Sequence, residues 1–214
     1  RLGDKVKIDA AKDVMARLLS ELPAEVSVGL VAYGHRRKGD CTDIEMLTAP
    51  ERGGGGKTAE GIRKLVPKGK TPLAASLSQV GAYLKQQEGD ATVVLVSDGI
   101  ETCGGDPCNV AKQLREQGIK VVIHVVGFDV SGPAVEQLQC IAREGGGQYF
   151  QADTAESLAA ALSAVSDHVV KGTTLPEPPP KPVVEAAGTK TKRVKVSGPG
   201  TIVLAPAPWV LMPP

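Results

Sequence analysis

One hydroxyl and one carboxylate, placed at the ends of two neighbouring elements, suggest a cation site in this chain. Thr71 lies in Gly69-Lys-Thr-Pro-Leu73, where it opens a helix. Asp98 closes an apolar run, Val93-Val-Leu-Val-Ser-Asp-Gly99, which predicts a strand buried on both faces. Open α/β sheets bind ligands at the carboxyl ends of their strands, where both side chains are expected. Oxygen donors of this kind suit a hard cation such as Mg²⁺.

Helices alternate with short apolar strands along most of the chain. We expect helices over about 4–22, 59–66, 71–84, 107–117, 132–143 and 154–170, and strands over 26–33, 44–49, 92–97, 120–127 and 148–151. This alternation predicts a mostly parallel sheet covered by helices on both faces, with 44–49 as an antiparallel edge strand.

The glycine-rich stretch 52–58 predicts a flexible connection. It superficially resembles a phosphate-binding loop, but Glu51 stands where that motif needs glycine, and no buried strand frames the stretch. A nucleotide site is therefore excluded there.

The two motifs resemble the second and third elements of the metal-ion-dependent adhesion site of von Willebrand factor A domains. The order of segments from about residue 5 to 169 also fits that family. Val31-Ala-Tyr-Gly-His-Arg-Arg-Lys-Gly-Asp-Cys41 and Leu138-Gln-Cys-Ile-Ala142 are similar to its bacterial, exported members, often described as homologues of calcium-activated chloride channels. The resemblance implies a three-layer, doubly wound, Rossmann-like α/β fold.

The resemblance also implies a function in protein binding rather than catalysis. In the family, Mg²⁺ (or Mn²⁺ or Ca²⁺) keeps one coordination position open for an acidic side chain of a partner protein. By that mechanism Thr71 would ligate the ion directly, and Asp98 mostly through water. Specificity would come from the loops 35–43, 99–107 and 127–133.

Each of the two residues has a simple structural explanation as well. Thr71 is a favourable helix N-cap, and Pro72 suits a first helical turn. Asp98 and Gly99 are typical of an ordinary turn after a strand. The pair, in family context and in the expected order, favours the metal site over these explanations.

The resemblance implies a first element too, Asp-x-Ser-x-Ser, which closes the family's first strand and supplies most of the metal ligands. That motif occurs nowhere in the 214 residues. Because the chain lacks an initiator Met and opens almost directly on a helix, we expect it to start just after this central strand. The metal site is then partial, and metal binding by this chain is weak or absent.

Further charged residues fall in the loops around the expected site. Four carboxylates would add negative charge at the ligand rim, although solvated acids or caps are the simpler interpretation of each: Asp40, Asp43, Glu101 and Asp106. The basic run 35–38 lies on the same rim, where it would either engage an acidic partner or remain a solvated charge run.

Four cysteines allow three pairings into two disulfides: Cys41, Cys103, Cys108 and Cys140. Three of them fall at the expected metal-site end, where oxidation would hold the loops together, and we favour Cys41–Cys103 with Cys108–Cys140. Disulfides would imply the periplasm or an extracellular space. Four buried free thiols in a cytosolic protein are the alternative. No cysteine or histidine pair has a familiar zinc spacing.

Composition narrows the partner class. Lysine and arginine total 25 against 24 acidic residues, and aromatics are 3%, which disfavours nucleic-acid binding. No apolar run reaches the roughly 20 residues of a membrane-spanning helix.

His124 lies within an apolar strand and is expected in the core, while His168 ends the last helix. No nucleophile and base fall at one strand edge, so a metal-dependent hydrolase ranks below a metal-independent scaffold of a cell-envelope assembly.

Composition also divides the chain. Residues 1–170 form the expected A domain without its first strand, and 171–188 form a proline-rich, semi-rigid linker. Residues 189–214 predict the start of a second β domain or a hairpin. A less favoured placement has Thr201–Ala205 filling the gap left by the missing first strand.

Overall fold

A mixed sheet of six strands forms the middle layer of the molecule. The computed structural model describes residues 4–66, 68–171 and 201–206, with side chains for 9–66 and 68–171. The elements in chain order are α1 (Asp4–Ser20), β1 (Ser27–Tyr33), β2 (Ile44–Arg52), α2 (Gly55–Lys64), α3 (Leu73–Leu84), β3 (Ala91–Ser97), α4 (Pro107–Glu116), β4 (Val121–Phe128), α5 (Pro133–Glu144), β5 (Gly146–Ala152), α6 (Ala155–Lys171) and β6 (Thr201–Pro206).

The strands lie in the order β2-β1-β6-β3-β4-β5. Strand β2 runs antiparallel to β1 at one side of the sheet, and the other five strands are parallel. The carboxyl ends of those five strands therefore lie along one edge, which we call the upper edge. The predicted parallel sheet with an antiparallel edge strand is confirmed.

Two apolar layers cover the sheet, one on each face. Alternate strand residues such as Leu30 and Val96 pack beneath α1, α2 and α6. Their neighbours Val31 and Leu95 pack beneath α3, α4 and α5 on the other face. This period of two, with apolar side chains at both phases, is what buries a parallel strand on both faces. The fold is the expected three-layer, doubly wound α/β arrangement.

The glycine-rich stretch differs from its prediction. It was expected to be a flexible connection, but α2 already begins at Gly55 and includes Gly56, Lys57 and Thr58. The reason is close packing of helices, because a Cβ at Gly55 would collide with the backbone carbonyl of Leu19 at the end of α1. Glycine costs helix stability in isolation. Here it permits the α1–α2 contact, and tertiary packing overrides the local preference.

The central strand comes from the carboxyl-terminal part of the chain. Strand β6 pairs in parallel with β1, from Val28 opposite Thr201, and with β3, from Thr92 opposite Thr201. This is the less favoured of the two placements considered for residues 201–205, and it puts the segment in the first sheet rather than in a second β domain. The linker and the remainder of 189–214 lie outside the described residues, so the division into domains stays a prediction.

Candidate functional site

Thr71 lies at the upper edge, just before α3. The residue at the N-cap of α3 is Pro72, which has no capping side chain, so the alternative explanation of Thr71 as a helix N-cap does not apply. The Glu101 carboxylate takes that role from the neighbouring loop, because the Ala74 amide donates to its Oε2 at 2.8 Å. The Thr71 hydroxyl is thereby left available for another ligand.

Backbone contacts fix the position of Thr71 beside the β3 loop. Its amide donates to the Thr102 hydroxyl at 2.7 Å, and the Thr102 amide donates back to its carbonyl at 3.1 Å. The Thr71 Oγ1 atom lies 4.0 Å from where a Cβ would stand on Gly99. The hydroxyl thus adjoins the Asp98-Gly99 turn, as the sequence predicts.

Asp98 is a half-buried carboxylate without a cationic partner among the described residues. Burial raises the pKa of this carboxyl to about 6, its own backbone amide opposes that rise by hydrogen bonding, and the negative charge of Asp129 adds to it. A carboxylate that loses hydration and faces another acid favours the approach of a cation. Such a perturbed group at a strand end is also a functional-site signal.

Asp129 belongs to the same edge, and the sequence analysis missed it as an individual site residue. It follows β4, its amide donates to the Ala152 carbonyl at 2.8 Å, and its φ of 54° is the only positive value of a non-glycine residue in the described chain. The available signal was its position, because Asp129 ends the parallel strand next to the one that Asp98 ends. The sequence predicts only that its loop, 127–133, contributes to specificity at the site.

The side chains at this edge offer the types of oxygen ligand that a hard divalent cation prefers. One hydroxyl and two carboxylates are brought together at one strand edge, and Asp98 is held there despite its desolvation. Mg²⁺ takes six oxygen ligands and keeps several waters, so a small protein set is sufficient for weak binding. The last residues of β6, Ala205 and Pro206, have no side-chain oxygen, so the central strand contributes no acidic ligand.

The four carboxylates of the expected rim all have local partners. Glu101 also accepts from the Cys103 amide at 2.6 Å, and Asp106 caps α4 through the Asn109 amide at 3.0 Å. Asp40 accepts from the amide and hydroxyl of Thr42, both at 2.7 Å. These bonds give the acids a role in loop structure, and the predicted capping by Asp106 is confirmed.

Asp43 is the most buried of the four, at 0% exposure. Burial acts to raise the pKa of its carboxyl, but the amides of Arg37 and Arg36 and the Arg36 guanidinium hold it below the usual value. The three bonds are 2.7 to 2.8 Å long. Asp43 therefore anchors the loop after β1 from the inside.

Two disulfides form, and both follow the favoured pairing. Cys41–Cys103 joins the β1–β2 loop to the β3–α4 loop, with its Cα atoms 5.6 Å apart. Cys108–Cys140 joins the start of α4 to α5, with its Cα atoms 5.5 Å apart. Glu144 lies close to the second pair. Because metal binding requires thiolates, this oxidised pair is not a zinc site.

Two histidines have structural partners. His124, at 2% exposure, lies in the core as expected, and its Nδ1 accepts from the Gln148 amide at 3.0 Å. His35 lies 3.0 Å from a carboxylate oxygen of Glu45. Within the parts of the chain that the structure describes, no helix is long and apolar enough to cross a membrane.

Comparison with known proteins gives one family. The profile of the von Willebrand factor type A domain matches residues 4–164. YwmC of Bacillus subtilis (strain 168) is 31% identical over 163 residues, covering 72% of this chain and 71% of that protein. YwmD of the same organism is 27% identical over 165 residues, covering 73% and 74%.

Solved structures share the fold at low sequence identity. An aerotolerance-related membrane protein from Bacteroides fragilis aligns with a TM-score of 0.54 at 20% identity, over 75% of this chain and 88% of that one. Proximal thread matrix protein 1 from the mussel byssus aligns with a TM-score of 0.59 at 19% identity, over 77% and 42%. Another structure of the mussel protein has a zinc-occupied MIDAS motif, with a TM-score of 0.55 at 16% identity, over 77% and 43%.

Proposed function

The chain belongs to the von Willebrand factor type A domain family, and on that premise we propose that it is a protein-binding module. Its upper edge takes a divalent cation of the Mg²⁺ type, and an acidic side chain of a partner protein binds there. The observation that carries the proposal is the desolvated Asp98 carboxylate, which faces Asp129 beside the Thr71 hydroxyl. Asp98 forms no ion pair with a basic side chain of the described chain, so its charge is open to a bound cation.

The residues at the upper edge would have different roles in binding. Thr71 and Asp98 would hold the cation, with Asp129 adding negative charge and lending its own oxygens. The ion would supply a Lewis-acidic position for a carboxylate oxygen of the partner. Glu101 keeps Thr71 in place by capping α3 and by binding the Cys103 amide. The site is thus supported by fixed loops and needs little ordering when the partner binds.

An exposed aliphatic residue next to the site favours a protein partner. Ile100 follows the Asp98-Gly99 turn and is 40% exposed, one of two exposed large apolar residues in the described chain. Docking surfaces combine apolar contacts with a polar rim. The loops 35–43, 99–107 and 127–133 surround this position, and they would determine which partner is accepted.

The oxidised cysteines support an exported location. Two disulfides form among four cysteines, and disulfides persist mainly in oxidising compartments. We therefore place the protein in the periplasm or outside the cell of a bacterium. The similar structure from Bacteroides fragilis is described as a membrane protein, which agrees with an envelope setting.

A metal-independent scaffold in an envelope assembly is the second candidate. It is favoured by the local bonds of Asp43, Glu101 and Asp106, which stabilise loops whether or not a cation binds. We do not propose an enzyme, because a metal-dependent hydrolase needs a base and a substrate cleft beyond the cation donors.

Peptide selection on the whole chain tests the proposal. Displayed peptide libraries would be bound to the immobilised protein in Mg²⁺ and eluted with EDTA, with a Thr71→Ala/Asp98→Ala double variant as the counter-selection. We expect the EDTA eluate from the unchanged protein to be enriched in Asp and Glu. The same peptides recovered from the double variant, or peptides that stay bound in EDTA, would contradict the metal-dependent mechanism and favour the scaffold.

A further inference from the structure

Two loops pack together at the upper edge beyond the cation donors. The amides of Lys68 and Gly69 both donate to the Gly34 carbonyl, at 3.1 and 2.7 Å. A Cβ on Gly69 would stand 2.7 Å from the Arg37 carbonyl, so these backbones touch. The loop after β1 and the loop before α3 therefore form one platform.

Hydrogen bonds and a disulfide hold the backbone of the platform in place. The buried Asp43 carboxylate binds the amides of Arg36 and Arg37 from inside the first loop. The Cys41–Cys103 disulfide ties the far end of that loop to the β3–α4 loop. The backbone positions that carry the side chains of the platform are thus fixed relative to one another.

Three lysines of the platform lack an acidic partner. Lys38 and Lys68 are exposed and Lys70 is half-exposed. In the described chain no carboxylate lies within ion-pair distance of any of them, whereas Arg36 and Arg37 are paired with acids. We call Lys38, Lys68 and Lys70 the basic ridge.

The sheet order sets the distance from the ridge to the cation donors. Lys38 follows β1 and the Lys68 amide bonds to Gly34 at the end of that strand, whereas Asp98 follows β3, with β6 between the two strands. Lys70 lies between these positions, next to Thr71. Neighbouring strands are about 4.8 Å apart, so Lys38 and Lys68 lie about 10 Å from Asp98. An extended peptide covers that distance in about three residues.

We propose that the partner segment is an acidic peptide in extended conformation, whose carboxylates bind the basic ridge about three residues from the carboxylate at the cation. The inference rests on the proposed function for the position of that cation-bound carboxylate. The ridge attracts the acidic residues, while the Asp98 carboxylate repels them until a cation binds there. The basic ridge and the cation site thereby select for an acidic peptide and determine the direction in which it lies on the surface.

Two labelled peptides test the spacing on the full chain. One carries Glu-Ser-Gly-Glu-Glu in a neutral background, and the other carries Glu-Ser-Gly-Gln-Gln. Fluorescence anisotropy would measure their binding in Mg²⁺ and in EDTA at low salt. The ridge variant is Lys38→Ser/Lys68→Ser/Lys70→Ser, and a control of equal charge is Lys57→Ser/Lys112→Ser/Lys120→Ser, whose lysines have acidic partners.

The expected result is roughly tenfold weaker binding of the first peptide to the ridge variant, as the loss of about two exposed ion pairs would give. The control variant and the second peptide should show no such loss, and added salt should remove the difference. Equal affinity of the two peptides for the unchanged protein, or equal losses in both variants, would overturn the inference. So would no binding of the first peptide at all.

Failure of the proposed function has a separate signature. If binding of the first peptide depends on the ridge but is the same in Mg²⁺ and EDTA, the ridge stands and the cation mechanism fails. If Mg²⁺ strengthens binding while the ridge variant behaves as the control, the cation mechanism stands and the ridge fails.

Discussion

The candidate ligand Asp98 stands out because its charge is costly to bury. Its carboxyl pKa of about 6 in the folded chain lies above the usual value near 4 of an unfolded aspartate, because burial penalises the charge. The folded state therefore gains from proton binding at low pH. That gain is complete below about pH 4 and is lost as the pH rises through 6.

Replacing this carboxylate should stabilise the metal-free protein. At pH 7.5 in EDTA we expect Asp98→Asn to raise the free energy of unfolding by about 2 kcal/mol, since the amide carries no charge to desolvate. Urea unfolding measures this, with Asp13→Asn on the exposed side of α1 as the control. A variant that is equally or less stable would show that Asp98 is not strained in the absence of a cation.

Mg²⁺ should offset part of this difference in stability. The ion binds the folded state only, so it should raise the melting temperature of the unchanged protein. Thr71→Ala and Asp98→Asn should each abolish that rise, while Asp13→Asn keeps it. An equal rise in all four proteins would place the cation elsewhere.

The contribution of His124 to stability should depend on pH in the opposite direction to that of Asp98. Burial lowers the pKa of this imidazole to about 4, and the neighbouring His168 adds to the effect. The unfolded chain takes up a proton below about pH 6.5 and the folded chain does not, so the stability supported by neutral His124 is lost as the pH falls from 6.5 to 4.

A neutral replacement should remove this loss. Between pH 7 and pH 4.5 the unchanged protein should lose about 2 kcal/mol more than His124→Gln. The groups that face His124 are His168 on α6 and Gln148 and Phe150 on β5, and they are the same in both proteins. Equal losses, measured by urea unfolding at each pH, would show that His124 does not titrate in this range.

At the scale of the elements, the two disulfides are expected to contribute differently to function. Each should contribute about 3 kcal/mol to stability by constraining the unfolded chain. Only Cys41–Cys103 joins the loop that holds Glu101 and Thr102, which position Thr71.

Removing the two bridges separately tests this difference. Cys41→Ser/Cys103→Ser should lose most of the Mg²⁺-induced rise in melting temperature, whereas Cys108→Ser/Cys140→Ser should keep it. Thermal unfolding with and without Mg²⁺ measures both. If the two double variants lose the rise equally, loop tethering by Cys41–Cys103 does not support the site.

Strand β6 joins the two halves of the sheet, because it lies between β1 and β3. Val203 pairs with Leu30 on one side and with Val94 on the other. Proline there removes a donor from the middle of the sheet, so Val203→Pro should cost on the order of 3 kcal/mol. Val66→Pro, the same exchange at an exposed residue outside the helices and strands, is the control. Equal stability of the two variants by urea unfolding would contradict the pairing of β6.

Much of the fold is predictable from the sequence because local patterns agree with it. Apolar runs such as 93–97 indicate buried strands, and the order of elements implies the doubly wound sheet. The helical start at Gly55 and the position of β6 are less accessible, since both depend on contacts with distant segments. Local secondary-structure propensities contain no information about such long-range contacts.

The candidate site is predictable to a similar extent. Thr71 and Asp98 stand out by motif, and the structure brings them together at the edge. The capping of α3 by Glu101 and the charge of Asp129 on Asp98 arise from the folded chain only. They follow from which strands are neighbours, and that order is a property of the whole sheet.

Across the whole molecule, the sheet separates stability from binding. The two apolar layers hold the strands, and the upper edge collects the loops with the cation donors, the basic ridge and Cys41–Cys103. Loops positioned by a rigid scaffold are where proteins place binding residues. This organisation agrees with a module that presents one edge to a partner.

Counting bound ions tests the central claim most directly. Mn²⁺ would stand in for Mg²⁺, and the electron paramagnetic resonance signal of free Mn²⁺ would be followed during titration of the full chain and of Thr71→Ala/Asp98→Asn. We predict one weakly bound ion per unchanged chain, displaced by Mg²⁺, and none on the variant. Equal binding by both proteins, or none by either, would contradict a cation site at Thr71 and Asp98.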